Sequence, residues 1–272
     1  MPEYAAARLF NFMSAIQWPT TAWPAQHVRV GRHTTIRLVP HPGEFDAEAI
    51  VRTHMKYERS VFTWLEPRVA SYGAIIEIGA NVGAFTVFFA ACLRSAGRSD
   101  TAIWAFEPSP RAFDRLRENV RVNGAEPLVR LEQAAVSDRA GTLTFYEPQG
   151  HLTNGSLIAD FARSFSGDVR TTEVRSVTGD DIAPRLPADA RLLVKIDAEG
   201  AEPAVLRGLA GLIDQFRPDI VVEILPETVD AISRLPLLTS GRYTARLITE
   251  GGVIDRTLAS AGTDERDWWL TP

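Results

Sequence analysis

Ala74-Ile75-Ile76-Glu77-Ile78-Gly79-Ala80-Asn81-Val82-Gly83-Ala84-Phe85-Thr86 joins a short apolar run to an amphipathic one through two glycines. The run at 74–79 is too short for a helix and reads as a buried strand. The residues after it read as a helix over 83–96. A strand that turns through glycines into a helix leaves free N–H groups at the helix start, and a ligand can approach that turn closely. The same alternation recurs downstream. TAIWAFE (101–107), LVRLEQA (128–134), LLVKID (192–197) and DIVVEIL (219–225) are the further buried runs. Helix candidates lie at 110–123, 201–213 and 226–235. Strands alternating with helices predict βαβ units and a mostly parallel sheet with helices on both faces. TLTFY (142–146) reads as an extra edge strand or hairpin. YTARLI (243–248) and DWWL (267–270) read as an antiparallel pair at the sheet end.

The first fifty-odd residues have a different character. Leu9, Phe10, Phe12, Met13 and Ile16 have helical spacing, which ends near Trp18-Pro19. Residues 27–40 alternate polar and apolar and predict a small hairpin. Residues 1–54 are therefore expected to form an arm or lid, and residues 55–272 the main domain. The chain has 272 residues, 45% hydrophobic and 23% charged. At roughly 150 residues per domain this is one elaborated domain with room for a real core. The net charge is −5. That argues against a general electrostatic grip on nucleic acid. No apolar run reaches the roughly 18 residues needed to insert across a bilayer. Cys92 is the single cysteine. It excludes an internal disulfide and a cysteine-rich zinc site. The N-terminus shows no secretory or lipidation pattern, so the expected location is cytoplasmic.

Three constellations carry chemistry. In the first, Glu77-x-Gly79-x-Asn81-x-Gly83, an asparagine occupies the position where a dinucleotide site wants glycine beside its pyrophosphate. S-adenosylmethionine, which has no phosphate, fits that pattern better. In the second, Phe106-Glu107-Pro108-Ser109-Pro110, an acid ends the next strand, where it can accept hydrogen bonds from ribose hydroxyls. The bland alternative is a surface glutamate before a helix. In the third, Lys195, Asp197, Glu199 and Glu202 crowd the end of a buried strand. Such charges are costly there unless they pair or act. The bland alternative is a salt-bridge network.

These residues resemble the FkbM-type methyltransferases, within the class I S-adenosylmethionine-dependent enzymes. IIEIGANVGAFT is similar to that family's glycine motif. FEPSP with Leu116 and Asn119 is similar to its ribose motif. AAVSDRAGTLTF (134–145), Thr178-Gly179-Asp180-Asp181 and VKIDAEGAE (194–202) follow in order. Gly179 stands where an apolar residue is more usual. Tyr57-Glu58 is similar to a tyrosine–glutamate pair before the first motif. The resemblance covers residues 55–225. It implies a Rossmann-like α/β fold with a seven-stranded, mostly parallel sheet. It implies that Glu77, Gly79, Asn81 and Gly83 surround the methionine part of the cofactor, that Glu107 holds the ribose, and that Glu58 belongs to the same site. By strand position Gln133 and Ala134 lie near the adenine. Gln133 faces its edge or simply covers the sheet.

The implied reaction is O-methylation of a small molecule, a sugar moiety or a secondary metabolite such as a polyketide. An alcohol acceptor needs its proton removed. Asp197 is the first candidate, as base or metal ligand, with Lys195 orienting it. Glu199 and Glu223 come second. Asp197 and Glu223, from neighbouring strand ends, are the candidate ligands for Mg2+ if a metal is used. His151, in the loop 149–157, is the candidate among the five histidines. The N-terminal tryptophans fit either an apolar or sugar-stacking cover or a homodimer contact. No run of basic residues points to a phosphate-rich acceptor. The rival readings are a nicotinamide-dependent oxidoreductase and a non-catalytic S-adenosylmethionine-binding module. Asn81 and the VKIDAEGAE block count against the former.

Overall fold

A computed structural model describes residues 23–41, 45–47, 49, 52–260 and 262–272. The helix expected near Leu9 and the Trp18-Pro19 stop lie outside the described residues. Strands β1 (Gln26–Val30) and β2 (Thr34–Leu38) form the expected hairpin, with Val28 opposite Ile36. Helix α1 (Arg59–Leu65) leads to β3 (Ala74–Ile78) and α2 (Ala84–Ser95). Then come β4 (Ala102–Phe106), α3 (Pro110–Val122), β5 (Val129–Glu132), β6 (Ala135–Val136) and β7 (Gly141–Pro148). Helix α4 (Ala159–Phe165) precedes β8 (Val169–Val177) and α5 (Gly179–Ile182). Next are β9 (Leu192–Ile196), α6 (Glu202–Gly208), α7 (Ala210–Phe216) and β10 (Asp219–Glu223). The chain closes with α8 (Val229–Ser233), α9 (Pro236–Thr239), β11 (Thr244–Thr249), β12 (Gly252–Asp255) and β13 (Asp267–Thr271).

The main sheet has the order β12-β11-β13-β10-β9-β3-β4-β5. β10, β9, β3, β4 and β5 are mutually parallel. β13 runs antiparallel between β10 and β11. β11 therefore points the same way as the parallel strands. These are the seven expected strands, and β12 adds an eighth at the edge by a hairpin with β11. β3 and β9 are buried at every position. That is why their sequences are unbroken apolar runs rather than alternating ones. TLTFY lies inside β7, which pairs antiparallel with β8 in a small second sheet. β8 escapes a sequence reading because most of its side chains are solvated.

One face of the sheet packs on α2, where Phe85 and Phe88 meet Phe62 of α1 and Phe89 packs on Phe85 and Phe88. Val28, Val30, Ile36 and Leu38 of the first hairpin are buried in this same cluster. This part of the expected arm is thus core. The opposite face packs on α6, α7 and α8 through Val205, Leu206, Leu212 and Ile232. The helix expected over 201–213 is two helices. A Cβ on Gly208 would lie 1.9 Å from the Ser137 carbonyl oxygen, so the chain breaks where it presses on another backbone. The helix expected over 226–235 is a 3-10 turn followed by α8. Among the described residues, no helix is long and apolar enough to cross a membrane.

Candidate active site

The carboxyl ends of β3, β4 and β9 are knitted together by backbone bonds. The Gly79 and Ala80 N–H groups donate to the Phe106 carbonyl, and the Asp197 N–H donates to the Ile78 carbonyl. This brings the three sequence motifs to one place, beyond the strand ends where open α/β sheets bind ligands. A cleft opens there, with about 590 Å³ of empty space when the part open to solvent is included. Gly79, Asn81, Glu107, Ala134, Asp197 and Glu199 line it. Its floor and far wall are apolar, from Ile78, Val136, Phe145 and Leu152. The segment after β7 roofs it. The Asn81 amide donates to the Thr153 carbonyl at 3.3 Å, and the Ser156 hydroxyl donates to the Glu199 carbonyl at 2.6 Å.

Glu107 is buried and takes two backbone N–H bonds, from Asn81 at 2.8 Å and Ser109 at 2.7 Å. Burial pushes its carboxyl up to about 7 despite those bonds. A carboxylate has about four acceptor positions, so two remain for a ligand. Asn81 sits in the left-handed region at φ 52°, and its Oδ1 is buried with no partner. An acidic edge, an orphaned acceptor and an apolar wall suit a nucleoside with a cationic amino-acid tail. Glu77 lies one strand over, directly opposite Lys195, and accepts the Thr86 hydroxyl at 2.6 Å. Burial pushes it up to about 7.

Lys195 organises the acidic side of the cavity. Its Nζ is 3.2 Å from Asp197 Oδ2, 3.7 Å from Glu58 Oε2 and 4.3 Å from the centre of the Phe85 ring. Burial pulls this ammonium down, but Asp197, Glu58 and Glu77 outweigh that and hold it above an ordinary lysine. Glu58 is pushed up to about 8, by burial first. It caps α1 in the left-handed region at φ 41°. The Tyr57 hydroxyl reaches Asp197 Oδ2 at 3.5 Å. Burial and then Glu58 and Asp197 raise that phenol well above its usual range. Glu199, at φ 50°, is raised by burial and then by Asp197 and Glu202.

Other expected residues fall elsewhere. Gly83 caps α2 against Leu116 and does not line the cavity. Gln133 is exposed, because β5 ends before it and its side chain leaves the sheet toward solvent. His151 is also exposed, turned outward against Phe165 with ring centres 5.8 Å apart. Glu223 leans toward Arg266 at 3.9 Å, and burial followed by Asp197 and Glu58 pushes it up to about 10. Among the described residues, no group of three or more His, Cys, Asp or Glu is placed to hold a metal ion. Lys195 already sets a positive charge against Asp197, so a Mg2+ held by Asp197 and Glu223 would have to displace it. Sequence reasoning missed the roof residues Leu152 and Thr153, and Asp267, whose carboxylate accepts the Ser60 hydroxyl at 3.3 Å. Asp267 stands opposite Glu223 only because β13 inserts beside β10.

The family model described as the methyltransferase FkbM domain matches residues 77–260, well over half of the chain. The chain belongs to the FkbM methyltransferase domain family. The chain is 26% identical to the hexuronic acid methyltransferase AglP of Haloferax volcanii, over 62% of this chain and 63% of that one. It is 28% identical to the 2-O-methyltransferase NoeI of Sinorhizobium fredii, over 49% of this chain and 56% of that one. These matches span less than two thirds of either relative. The crystal structure of an FkbM methyltransferase from Methylobacillus flagellatus is similar at 15% identity and TM-score 0.44, covering 74% of this chain and 43% of that one.

Proposed function

We propose that the protein transfers a methyl group from S-adenosylmethionine to a hydroxyl of a small molecule, a sugar moiety or a secondary metabolite. The observation that carries this is the meeting of Gly79, Asn81, Glu107 and Asp197 in one cavity. The relatives named for a hexuronic acid and for a 2-O position support a hydroxyl acceptor.

When bound, the cofactor supplies an electrophilic methyl group on a sulfonium. Glu107 accepts the ribose hydroxyls, and Asn81 Oδ1 accepts a donor from the amino-acid part. Ile78, Ala134 and Val136 cover the adenine. The acidic strand ends offset the sulfonium's positive charge. Asp197 stands at the boundary between the cavity and the Glu58–Lys195 cluster. It accepts the proton of the acceptor hydroxyl, a role for a carboxylate within hydrogen-bond reach. Lys195 and Tyr57 hold that carboxylate in place. Much of the rate then comes from alignment, because an in-line displacement needs acceptor and methyl near contact. No step here needs a metal or His151.

The test is calorimetric titration of the full chain with S-adenosylhomocysteine and, separately, with NAD. Saturable binding of S-adenosylhomocysteine and none of NAD is the expected result. The reverse pattern would replace this reading with a nicotinamide-dependent oxidoreductase.

A further inference from the structure

Glu147 is a buried acid that lies outside all three sequence motifs. It stands near the end of β7, two residues after Phe145, and alternate residues of a strand share a face. Phe145 lines the cleft. Glu147 accepts the Ser109 hydroxyl at 2.5 Å, and both residues are buried. Ser109 belongs to the turn that carries the cofactor acid. Its backbone N–H donates to Glu107 Oε1 at 2.7 Å, while the Asn81 N–H holds Glu107 Oε2 at 2.8 Å. Pro108 and Ala112, on either side of Ser109, line the cleft. A carboxyl of the small second sheet is thus joined through one serine to the carboxyl proposed for the ribose.

A serine hydroxyl has one hydrogen to give and two lone pairs to accept with. Ser109 gives its hydrogen to Glu147, and its oxygen accepts the Ala112 N–H at 3.2 Å as the N-cap of α3. The hydroxyl therefore ties the 107–110 turn to α3 on one side and to β7 on the other. The direction of the Ser109 N–H, and with it the seat of the Glu107 carboxyl, depends on that double tie. A hydrogen bond to a buried carboxylate is among the stronger ones available for such a task. The end of β7 also holds the roof. Tyr146 and Ser156 exchange backbone bonds at 2.8 and 3.0 Å, and the Ser156 hydroxyl donates to the Glu199 carbonyl at 2.6 Å. This one strand end braces the cleft at two places, the Glu107 turn and the turn after Asp197.

We infer that Glu147 is a positioning residue for cofactor binding: through the Ser109 hydroxyl it holds the turn that aims Glu107 at the ribose. The inference rests on the methyltransferase reading and adds to it a residue from outside the motifs. Glu147 does not itself line the cleft, so it acts through Ser109 and not on the cofactor. Loss of the Glu147 acceptor leaves the turn tied to α3 alone, and the ribose then meets a carboxyl that is less well placed.

The experiment measures S-adenosylhomocysteine affinity of the full chain by calorimetry. The proteins are wild type, Glu147→Met, Glu147→Gln, Ser109→Ala and the double variant Glu147→Met/Ser109→Ala. Methionine keeps the length of the side chain without a strong acceptor, whereas glutamine keeps an oxygen for the Ser109 hydroxyl. Glu147→Met should weaken binding about tenfold, and Glu147→Gln should recover most of that loss. Ser109→Ala should weaken binding to a similar degree. The double variant should be no weaker than either single one, because the two residues act along one path. Thermal unfolding verifies that each variant is folded. Should Glu147→Met not fold, Ser109→Ala reads the same bond from its other end. Wild-type affinity in either folded single variant, equal losses in Glu147→Met and Glu147→Gln, or losses that add in the double variant would overturn the inference. Failure of S-adenosylhomocysteine to bind wild type would instead strike the methyltransferase reading, and this inference with it.

Discussion

The carbonyl oxygen of Asp197 occupies the space that a side chain on Gly79 would need. A Cβ built on Gly79 would lie only 1.7 Å from that oxygen. The glycine motif on β3 and the acidic turn after β9 are thus one structure, with each backbone shaped to the other. Gly79 also has φ 78°, in the left-handed region. Gly79→Ala should cost about 3 kcal/mol or more, from strained backbone plus forced displacement of the β9 turn. Gly83→Ala should cost less, because the clash there is with the movable end of the Leu116 side chain. Denaturant unfolding of both variants checks the order; equal midpoints would show that the Gly79 contact relaxes freely.

Glu107 holds the Asn81 and Ser109 amides and faces the cavity. Glu107→Ala should weaken S-adenosylhomocysteine binding by about 1–3 kcal/mol, the range for losing a charged acceptor. Calorimetry measures this directly. Wild-type affinity in a folded variant would remove Glu107 from the cofactor site.

Asp197 lines the cavity and is the proton acceptor proposed above, and Gly79, Asn81 and Glu107 line the same cavity. Asp197→Asn should lower turnover about 100-fold or more and leave S-adenosylhomocysteine affinity nearly intact. Single-turnover kinetics on a confirmed acceptor separates the two effects. Full turnover in the variant would make Asp197 structural.

Stability of the ligand-free protein should fall as pH rises from about 5 to 8. Glu77, Glu107 and Glu202 are each pushed by burial from an ordinary 4.5 up to about 7, and Glu58 to about 8. Between those values the folded chain holds more protons than the unfolded chain, so unfolding becomes easier with rising pH. Glu132 and Asp181 shift downward, but their stabilisation is lost only on acidification below their ordinary values. The unfolding midpoint should therefore be higher near pH 5.5 than near pH 8. A midpoint that climbs steadily across that interval contradicts the assignment of buried, proton-retaining carboxyls.

Much of this protein's fold is legible in the local pattern of its sequence. The parallel core strands read as unbroken apolar runs because both of their faces are covered. The strand-end acids Glu107 and Asp197 were visible because each directly follows such a run. Asn81 stood out because its side chain sits where a pyrophosphate would need glycine. The directions of Gln133 and His151, both exposed, are not legible in the sequence, because a side chain beyond a strand end points where the loop's packing sends it. The split between α6 and α7 was hidden because Gly208 answers to Ser137, far away in sequence.

The amino-acid order thus determined the seven main strands of the large sheet, though not β8 or the edge strand β12, which turns carry the glycine and acid motifs, and that these motifs share one sheet edge. Hydrophobic periodicity and turn chemistry act between near neighbours, so they are legible in the chain itself. Only the tertiary structure decided that Tyr57 and Glu58 meet Lys195 and Asp197, and that Asp267 stands beside Glu223. Those meetings follow from strand order and from the packing of α1 across the sheet, and such long-range contacts leave no periodic trace in the sequence.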